Sequence, residues 1–385
     1  MPDPLDLPRI SILVPLYKER RIAGALVERL RALDYPRGRL EVLLVLEEKD
    51  DTTAAALAAA ALPPWMRVIR VPDGKPRTKP RAMNYALDFC RGDIIGVYDA
   101  EDAPEADQLL RVAAEFAAAP PEVACLQGRL DFYNARQNWL SRCFAIEYNT
   151  WFRVLLPGMA RLGLAIPLGG TTLFVRRDAL EAVGAWDAHN VTEDADLGLR
   201  LARHGWHTRV IVSTTAEEAN CHVLPWIRQR SRWLKGYMVT YLVNMRRPLR
   251  LWRDLGPRRF LGFQAHFVSA LAQFLLGPLL LSVWLLSFGI GHPAQGELPP
   301  VVLTGFAATF VAAELLNFAL HMIGTRAPGH RHLRPWALTM ILYFPLAQIA
   351  AYKALYELVV APFYWDKTRH GLSKAARRSD GGLVP

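Results

Sequence analysis

Residues 93–102 read Asp-Ile-Ile-Gly-Val-Tyr-Asp-Ala-Glu-Asp, a short apolar run closed by three carboxylates and an alanine. A run of this length without polar alternation is the pattern of a strand buried on both faces. The same pattern recurs upstream, so Ile10–Leu16, Leu40–Leu46 and Trp65–Val71 read as strands and Asp93–Tyr98 as the fourth. Helical patterns lie between them over Arg21–Ala32, Thr53–Leu62 and Ala82–Cys90. This alternation predicts an α/β domain on a parallel sheet with both faces covered. Ligands of such sheets sit outside the carboxyl ends of the strands. Two acidic clusters, Glu47–Asp51 and Asp99–Asp102, fall at those ends. No internal repeat is visible.

The chain has 385 residues, of which 52% are hydrophobic, more apolar than soluble enzymes commonly are. Its formal charge of +10 points to an anionic partner: anionic lipid or a phosphate-bearing substrate. Nucleic acid is set aside, because no basic run is interleaved with aromatics on one regular element. Cys90, Cys125, Cys143 and Cys221 are far apart, with no CxxC, and read as reduced, packed thiols. The first ten residues, MPDPLDLPRI, lack the apolar core of a secretory signal.

The composition changes near residue 260. Phe263–Ile290 and Val301–Ile323 are long and apolar enough to span a bilayer, the second interrupted only by Glu314. The connection GHPAQGELPP carries no Lys or Arg, whereas the next loop, GTRAPGHRHLR, carries three Arg. The positive-inside bias therefore places the first loop outside and the second inside, with the α/β domain cytoplasmic. A single crossing by Pro335–Pro362 would export a basic tail, so this stretch is expected to form a re-entrant or interfacial helical pair. Lys353 and Glu357, four apart on it, are placed to pair. The expected organisation is an α/β domain over 1–225, interfacial amphipathic helices over 226–260, a transmembrane and re-entrant region over 261–371, and a basic tail over 372–385.

Three further segments carry the chemistry. In Asp99-Ala100-Glu101-Asp102, residues two apart at a strand end point the same way, so Asp99 and Glu101 are placed to face one divalent ion. A solvated loop would show the same run. Thr192-Glu193-Asp194 precedes the apolar-periodic Leu197, Leu199 and Leu201, which reads as a helix N-cap followed by acidic residues favoured by the dipole. Gln229-Arg230-Ser231-Arg232-Trp233 is basic and amphipathic. Its plain reading is a membrane-surface anchor; its sharper one gives Arg232 a pyrophosphate and Trp233 a sugar face.

The series VPLYKE, an acidic cluster after the second strand, DAED, TED and QRSRW, then membrane helices, resembles the processive branch of the family-2 glycosyltransferases, which includes cellulose and hyaluronan synthases and bacterial exopolysaccharide β-glycan synthases. The likeness runs over about residues 8–290. It implies a GT-A, Rossmann-like nucleotide-sugar-binding domain, a UDP-hexose donor, Mg2+ or Mn2+, and inverting transfer to a glycan. It gives Asp194 the role of catalytic base, Asp99 and Glu101 the metal and diphosphate positions, and Gln229 and Arg232 the pyrophosphate. Trp233, Glu193, Gly170 and Thr171 are expected near the acceptor, and Lys79 at the uridine or a phosphate.

Members of this group commonly carry two adjacent Asp after the second strand. This chain has Glu47-Glu48-Lys49-Asp50-Asp51, so the uracil contact is expected from Glu48, with Asp50 second. The segment Pro362–Gly371 is similar to one that lies at the cytoplasmic membrane surface in exopolysaccharide synthases. The resemblance further implies a multi-pass protein of the bacterial inner membrane. Two spans are few for a translocation channel, which points to a homo-oligomer or to single transfer onto a lipid, as in ceramide glucosyltransferases. A non-catalytic sugar- or nucleotide-binding protein of the membrane is the remaining alternative.

Overall fold

The computed structural model describes residues 6–282 and 299–362, with a few isolated positions between them. The first half alternates as expected: β1 (Ile10–Leu16), α1 (Ala23–Arg31), β2 (Leu40–Glu47), α2 (Asp51–Ala59), β3 (Met66–Val71), α3 (Lys79–Leu87) and β4 (Ile94–Val97). After it come β5 (Ala103–Pro104), α4 (Gln108–Ala118), β6 (Val123–Phe132), α5 (Trp139–Thr150), β7 (Leu173–Arg176), α8 (Glu193–Arg203) and β8 (His207–Glu217). Between α5 and β7 lie a π-helical segment, Trp151–Leu155, and α6 (Leu156–Arg161), and α7 is Arg177–Ala182. Successive side chains of a strand point to opposite faces. Ile10, Ile12, Val14 and Leu16 therefore pack on α1 and α4, while Leu13, Leu43, Val45 and Val97 pack on α3 and α8.

The eight strands form one sheet in the order β3-β2-β1-β4-β7-β6-β8-β5. Strands β1 to β4 are parallel, but β7 is antiparallel to both β4 and β6, and β5 to β8. The expectation of a parallel sheet is thus corrected to a mixed one. Because β7 runs backwards, it starts at the edge where β4 ends. The preceding turn is bonded there: Thr172 N–H donates to Val97 O at 2.8 Å. The strand order reverses beside β1, with β2 and β3 on one side and β4 on the other, and a crevice opens at such a switch point.

The second half is helical. It contains α9 (Val223–Asn244), α10 (Pro248–Leu275, kinked at Gly256-Pro257), α11 (Gly277–Ser282), α12 (Pro300–Gly324), a 3-10 segment (Pro328–Thr339) and α13 (Met340–Val360). Among the described residues, Pro300–Gly324 and Pro328–Val360 are long and apolar enough to cross a membrane. None of the most apolar part of α12 is covered by protein. Within Phe263–Ile290 the helix breaks once, α10 ending at Leu275 and a new helix starting at Gly277, and most of the stretch beyond Ser282 lies outside the described residues.

Pro335–Pro362 is not a helical pair. After the 3-10 turns it is the single helix α13, which Pro345 deprives of one backbone bond without ending it. Ala347, Ala350, Ala351 and Ala354 are small enough to let it lie close along α9. The division expected at residue 260 falls inside α10, and the loop 291–298 and the tail from 363 on lie largely or wholly outside the described residues.

Polar contacts tie the layers together. Lys353 pairs with Glu357, which also takes the fully buried Lys235 at 3.2 Å from α9. Thr150 Oγ1 meets His321 Nδ1 at 2.9 Å, His330 Nε2 meets Asp131 Oδ2 at 2.5 Å, and Trp139 Nε1 donates to Thr339 Oγ1 at 2.8 Å. These bonds hold the end of α12 and the Arg-bearing loop after it against the α/β domain. All four cysteines are free and buried.

Candidate active site

A cavity of about 730 Å3 opens at the switch point and continues upward between α9, α10, α12 and α13. Its floor is made by the strand ends. Asp102 N–H donates to Asp99 O at 3.2 Å, closing a tight turn immediately after β4. The Asp102 carboxylate points inward: it accepts from Asp99 N–H at 2.8 Å and from the Thr171 hydroxyl. Burial, then the charges of Asp99 and Glu101, push its pKa well above the usual carboxylate range. Fixed from below in this way, Asp99 and Glu101 both line the cavity.

Lys79 reaches in from the first residue of α3. Its Nζ donates to Asp99 Oδ1 at 2.5 Å and to Gly170 O at 2.9 Å. Burial alone would lower its pKa, but Asp99, Glu193 and Asp194 outweigh burial and keep it charged. Opposite stand Glu193 and Asp194 in the first turn of α8, where the helix dipole favours a carboxylate. Burial raises the proton affinity of both, and the charges of Lys79 and Arg232 work against that rise. Gly170 sits at φ +76°, and a Cβ there would lie 2.9 Å from Asp194 Oδ2. Only glycine satisfies both the left-handed backbone and the close carboxylate.

The roof is α9. Gln229, Arg232 and Trp233, spaced i, i+3 and i+4, share one face of it and line the cavity. Gln229 Oε1 is held by Asn220 Nδ2 at 2.8 Å. Gly236 brings α9 against the start of α8, since a Cβ there would lie 2.3 Å from Thr192 Oγ1. The residues expected to act together, Lys79, Asp99, Glu101, Gly170, Thr171, Glu193, Asp194, Gln229, Arg232 and Trp233, are thus brought to one cavity.

Two expected residues are not. Glu48 turns outward and accepts from Asp73 N–H at 3.0 Å. Asp50 is buried as the N-cap of α2, accepting from Lys18 N–H at 2.5 Å and from the Thr52 and Thr53 hydroxyls. Neither lines the cavity; of this acidic run only Glu47 does, held by Arg81 at 3.5 Å. Thr192 is at the N-cap position of α8 but does not cap it with its side chain; its hydroxyl and N–H meet Asn190 Oδ1 instead. The Thr171 hydroxyl is taken up by Asp102 and Val97 O, so what this turn offers the cavity is backbone.

The structure also adds residues. Glu217, at the end of β8, lines the cavity, and burial followed by the charges of Asp102, Glu101 and Asp99 pushes its pKa well above the usual range. Its only signal was an acidic pair, Glu217-Glu218, at the end of a mixed polar and apolar strand. Arg230 makes two bonds to Glu147, at 2.7 and 2.5 Å, and stacks on Trp226 and Trp233. It pins the roof to α5.

The floor suits a hard divalent cation. Asp99 and Glu101 supply two carboxylates, and Asp102 Oδ1 and Glu217 Oε1 are buried without hydrogen-bond partners among the described residues. No group of three or more His, Cys, Asp or Glu is placed to hold an ion among the described residues. Two carboxylates with the remaining positions left to phosphate and water fit Mg2+ or Mn2+, not a closed protein cage.

Residues 8–236 match the family described as "Glycosyltransferase like family 2". The beta-monoglucosyldiacylglycerol synthase of Synechocystis sp. is 29% identical over 364 residues, covering 87% of this chain and 74% of that protein. The cellulose synthase catalytic subunit of Komagataeibacter sucrofermentans is 26% identical over 71% of this chain but only 36% of its own length. Among solved structures, a mannosyltransferase from Pyrobaculum calidifontis, in complex with GDP-Man and Mn2+, superposes with a TM-score of 0.54 over 93% of this chain and 90% of that one, at 20% identity. That likeness establishes the GT-A-type α/β fold.

Proposed function

Because the chain belongs to the glycosyltransferase family 2, we propose that it moves a hexose from a UDP-sugar onto a hydroxyl acceptor at a membrane, with inversion to a β-glycoside. The observation that carries this reading is the convergence of Asp99, Lys79, Asp194 and Arg232 on one cavity at the sheet's switch point. The donor diphosphate lies over the β4 turn, near Lys79 and Arg232, whose positive charges meet the charge that develops on the leaving UDP. Asp194 accepts the proton of the acceptor hydroxyl. The acceptor oxygen bonds to the anomeric carbon as the bond from that carbon to the diphosphate oxygen breaks, and UDP departs with the electron pair. Asp99 and Glu101 would hold a Mg2+ or Mn2+ ion, which when bound supplies Lewis-acid neutralisation of the diphosphate.

Burial suits Asp194 to this work. By raising its proton affinity it makes the carboxylate a better base, and the charges of Lys79 and Arg232 limit that rise. Asp194→Asn is expected to lower turnover by about 10²–10⁴-fold with UDP-sugar binding kept, read by UDP release and by donor titration. Near-normal turnover in that variant would remove the base.

Two acceptors fit this chemistry. The motif order supports a growing β-glycan. The similarity to a synthase named for a glucosylated diacylglycerol, over 87% of the chain, supports a lipid alcohol and a single transfer. A panel of UDP- and GDP-sugars followed by product sizing separates a polymer ladder from one glycolipid. The Arg-bearing loop held against the α/β domain supports a bacterial inner-membrane protein with that domain on the cytoplasmic side; a protease-protected α/β domain in intact cells and an exposed one in inverted vesicles is the expected result. For the glycan reading, the few spans in this chain call for a homo-oligomer.

A further inference from the structure

The upper end of the cavity does not stop at the roof. On α10, His266, Ser269 and Gln273 are spaced i, i+3 and i+7, and on α12, Asn317 and His321 are spaced i and i+4; all five line the cavity. Each set therefore forms a polar stripe on a mostly apolar stretch of its helix. Polar groups at membrane depth are costly and, where retained, face a partner or a path.

Two of these groups are oriented but unsatisfied. The His321 side chain is buried and fixed by Thr150 at Nδ1, while its Nε2 has no partner among the described residues. The His266 ring stacks on Trp151 at 5.3 Å, and its Nε2 is also buried without a partner. Thr150 and Trp151 meet where α5 gives way to the π-helical segment, a local rewinding that often marks functional sites. A buried imidazole nitrogen without a partner is unfavourable, and the polar groups of a lipid headgroup satisfy it: an ester or amide carbonyl accepts from a protonated nitrogen, and a second hydroxyl or an amide N–H donates to a bare one.

The depth and shape of this chamber point to one occupant. His321 lies three residues from Gly324, whose close contact with the Thr150 backbone marks the end of α12 that rests on the α/β domain. Asn317, seven residues from Gly324, is only about 10 Å from that end of the helix at 1.5 Å per residue. That is headgroup depth, not the middle of a bilayer. Ser269, Gln273 and Asn317 are exposed as well as cavity-lining, so the chamber is open sideways. A polymer channel needs a closed wall; a lateral opening admits a molecule that diffuses in the plane of the membrane.

We infer that this stripe is the acceptor subsite for a hydroxyl-bearing lipid, whose headgroup is held by His266, Gln273, Asn317 and His321 with its free hydroxyl directed toward Asp194. The inference rests on the glycosyl-transfer reading above and deepens it.

The test uses the full-length protein in phosphatidylcholine vesicles, alone or containing dioleoylglycerol or ceramide. UDP release should depend on one of these hydroxyl lipids, and the product should be a single glycolipid. The double variant Gln273→Leu/Asn317→Leu changes exposed side chains and should fold. Its KM for the lipid, as mole fraction, should rise by at least about tenfold, with the donor dissociation constant kept; His266→Ala should act in the same direction. Unchanged lipid KM in both variants, or a water-soluble polymer formed equally well without hydroxyl lipid, would overturn the subsite while leaving glycosyl transfer standing. No UDP release from any sugar nucleotide under any of these conditions would overturn both.

Discussion

Two acidic runs, Glu47–Asp51 after β2 and Asp99–Asp102 after β4, follow strands of the same parallel block and look alike as sequence, yet the fold uses them differently. The first lies one strand out from the switch point. Its Asp50 turns inward to cap α2, its Glu48 turns outward to Asp73, its Lys49 pairs with Asp73, and only Glu47 touches the cavity. The second lies at the switch point itself. There Asp102 does the structural work from below, which leaves Asp99 and Glu101 facing the ligand space. What assigns an acidic residue to structure or to chemistry is therefore its strand's place in the sheet, not its spacing from the strand.

This contrast can be broken by exchanging charge for amide at each run. The largest effect is expected at Asp99→Asn, which removes a carboxylate paired with Lys79: transfer should fall by about 10²–10³-fold, with the folded state intact by circular dichroism. Lys79→Gln comes next and sharpens the electrostatic link. Lys79 opposes the burial that raises Asp194, so without it the base holds its proton to higher pH. The acid limb of kcat/KM should move upward in pH, and an unmoved limb would separate Lys79 from the base.

At the other run, Asp50→Ala should leave donor binding nearly unchanged and cost about 2 kcal/mol of stability, read by denaturant titration. Burial raises the Asp50 pKa, but the hydrogen bonds from Lys18, Thr53 and Thr52 more than offset this and lower it overall. Its stabilisation is thus fully present above the ordinary aspartate pKa of about 3.9 and is lost as pH falls through the lower folded value. The wild-type protein should lose more stability than the variant in that window. Smallest of all, Glu48→Gln should change stability by less than about 0.5 kcal/mol and leave the donor KM unchanged. A large donor defect there would return the nucleobase contact to Glu48.

The first four strands were legible because each is mostly apolar and bounded by polar residues: Ile10–Leu16 is β1 residue for residue; β6 and β8, with polar residues along their length, were not. The first three helices were legible to within a turn, α3 starting at Lys79 instead of Ala82 because Pro80 is at home in a first turn. The direction of β7 was not legible. Four residues, Leu173–Arg176, carry no periodicity that distinguishes parallel from antiparallel, and their partners lie far away in the chain. Likewise, nothing local distinguishes Glu48, facing solvent, from Glu47, facing the cavity. The upper stripe was invisible for a different reason. His266, Gln273 and Asn317 are isolated polar residues in apolar stretches of two helices, and only the packing of α10 against α9 and α13, with that of α12 against α5, turns them toward the same space.

Gly236 has a mechanical meaning beyond its size. With Thr192 against its α-carbon, no gap remains in which the first turn of α8 and the middle of α9 could slide past each other, and α13 lies along the far side of the same helix with Glu357 clamped between two lysines. These parts move together or not at all. A displacement of α13 would therefore reach the first turn of α8, and with it Asp194, through α9 with no void between them to absorb it.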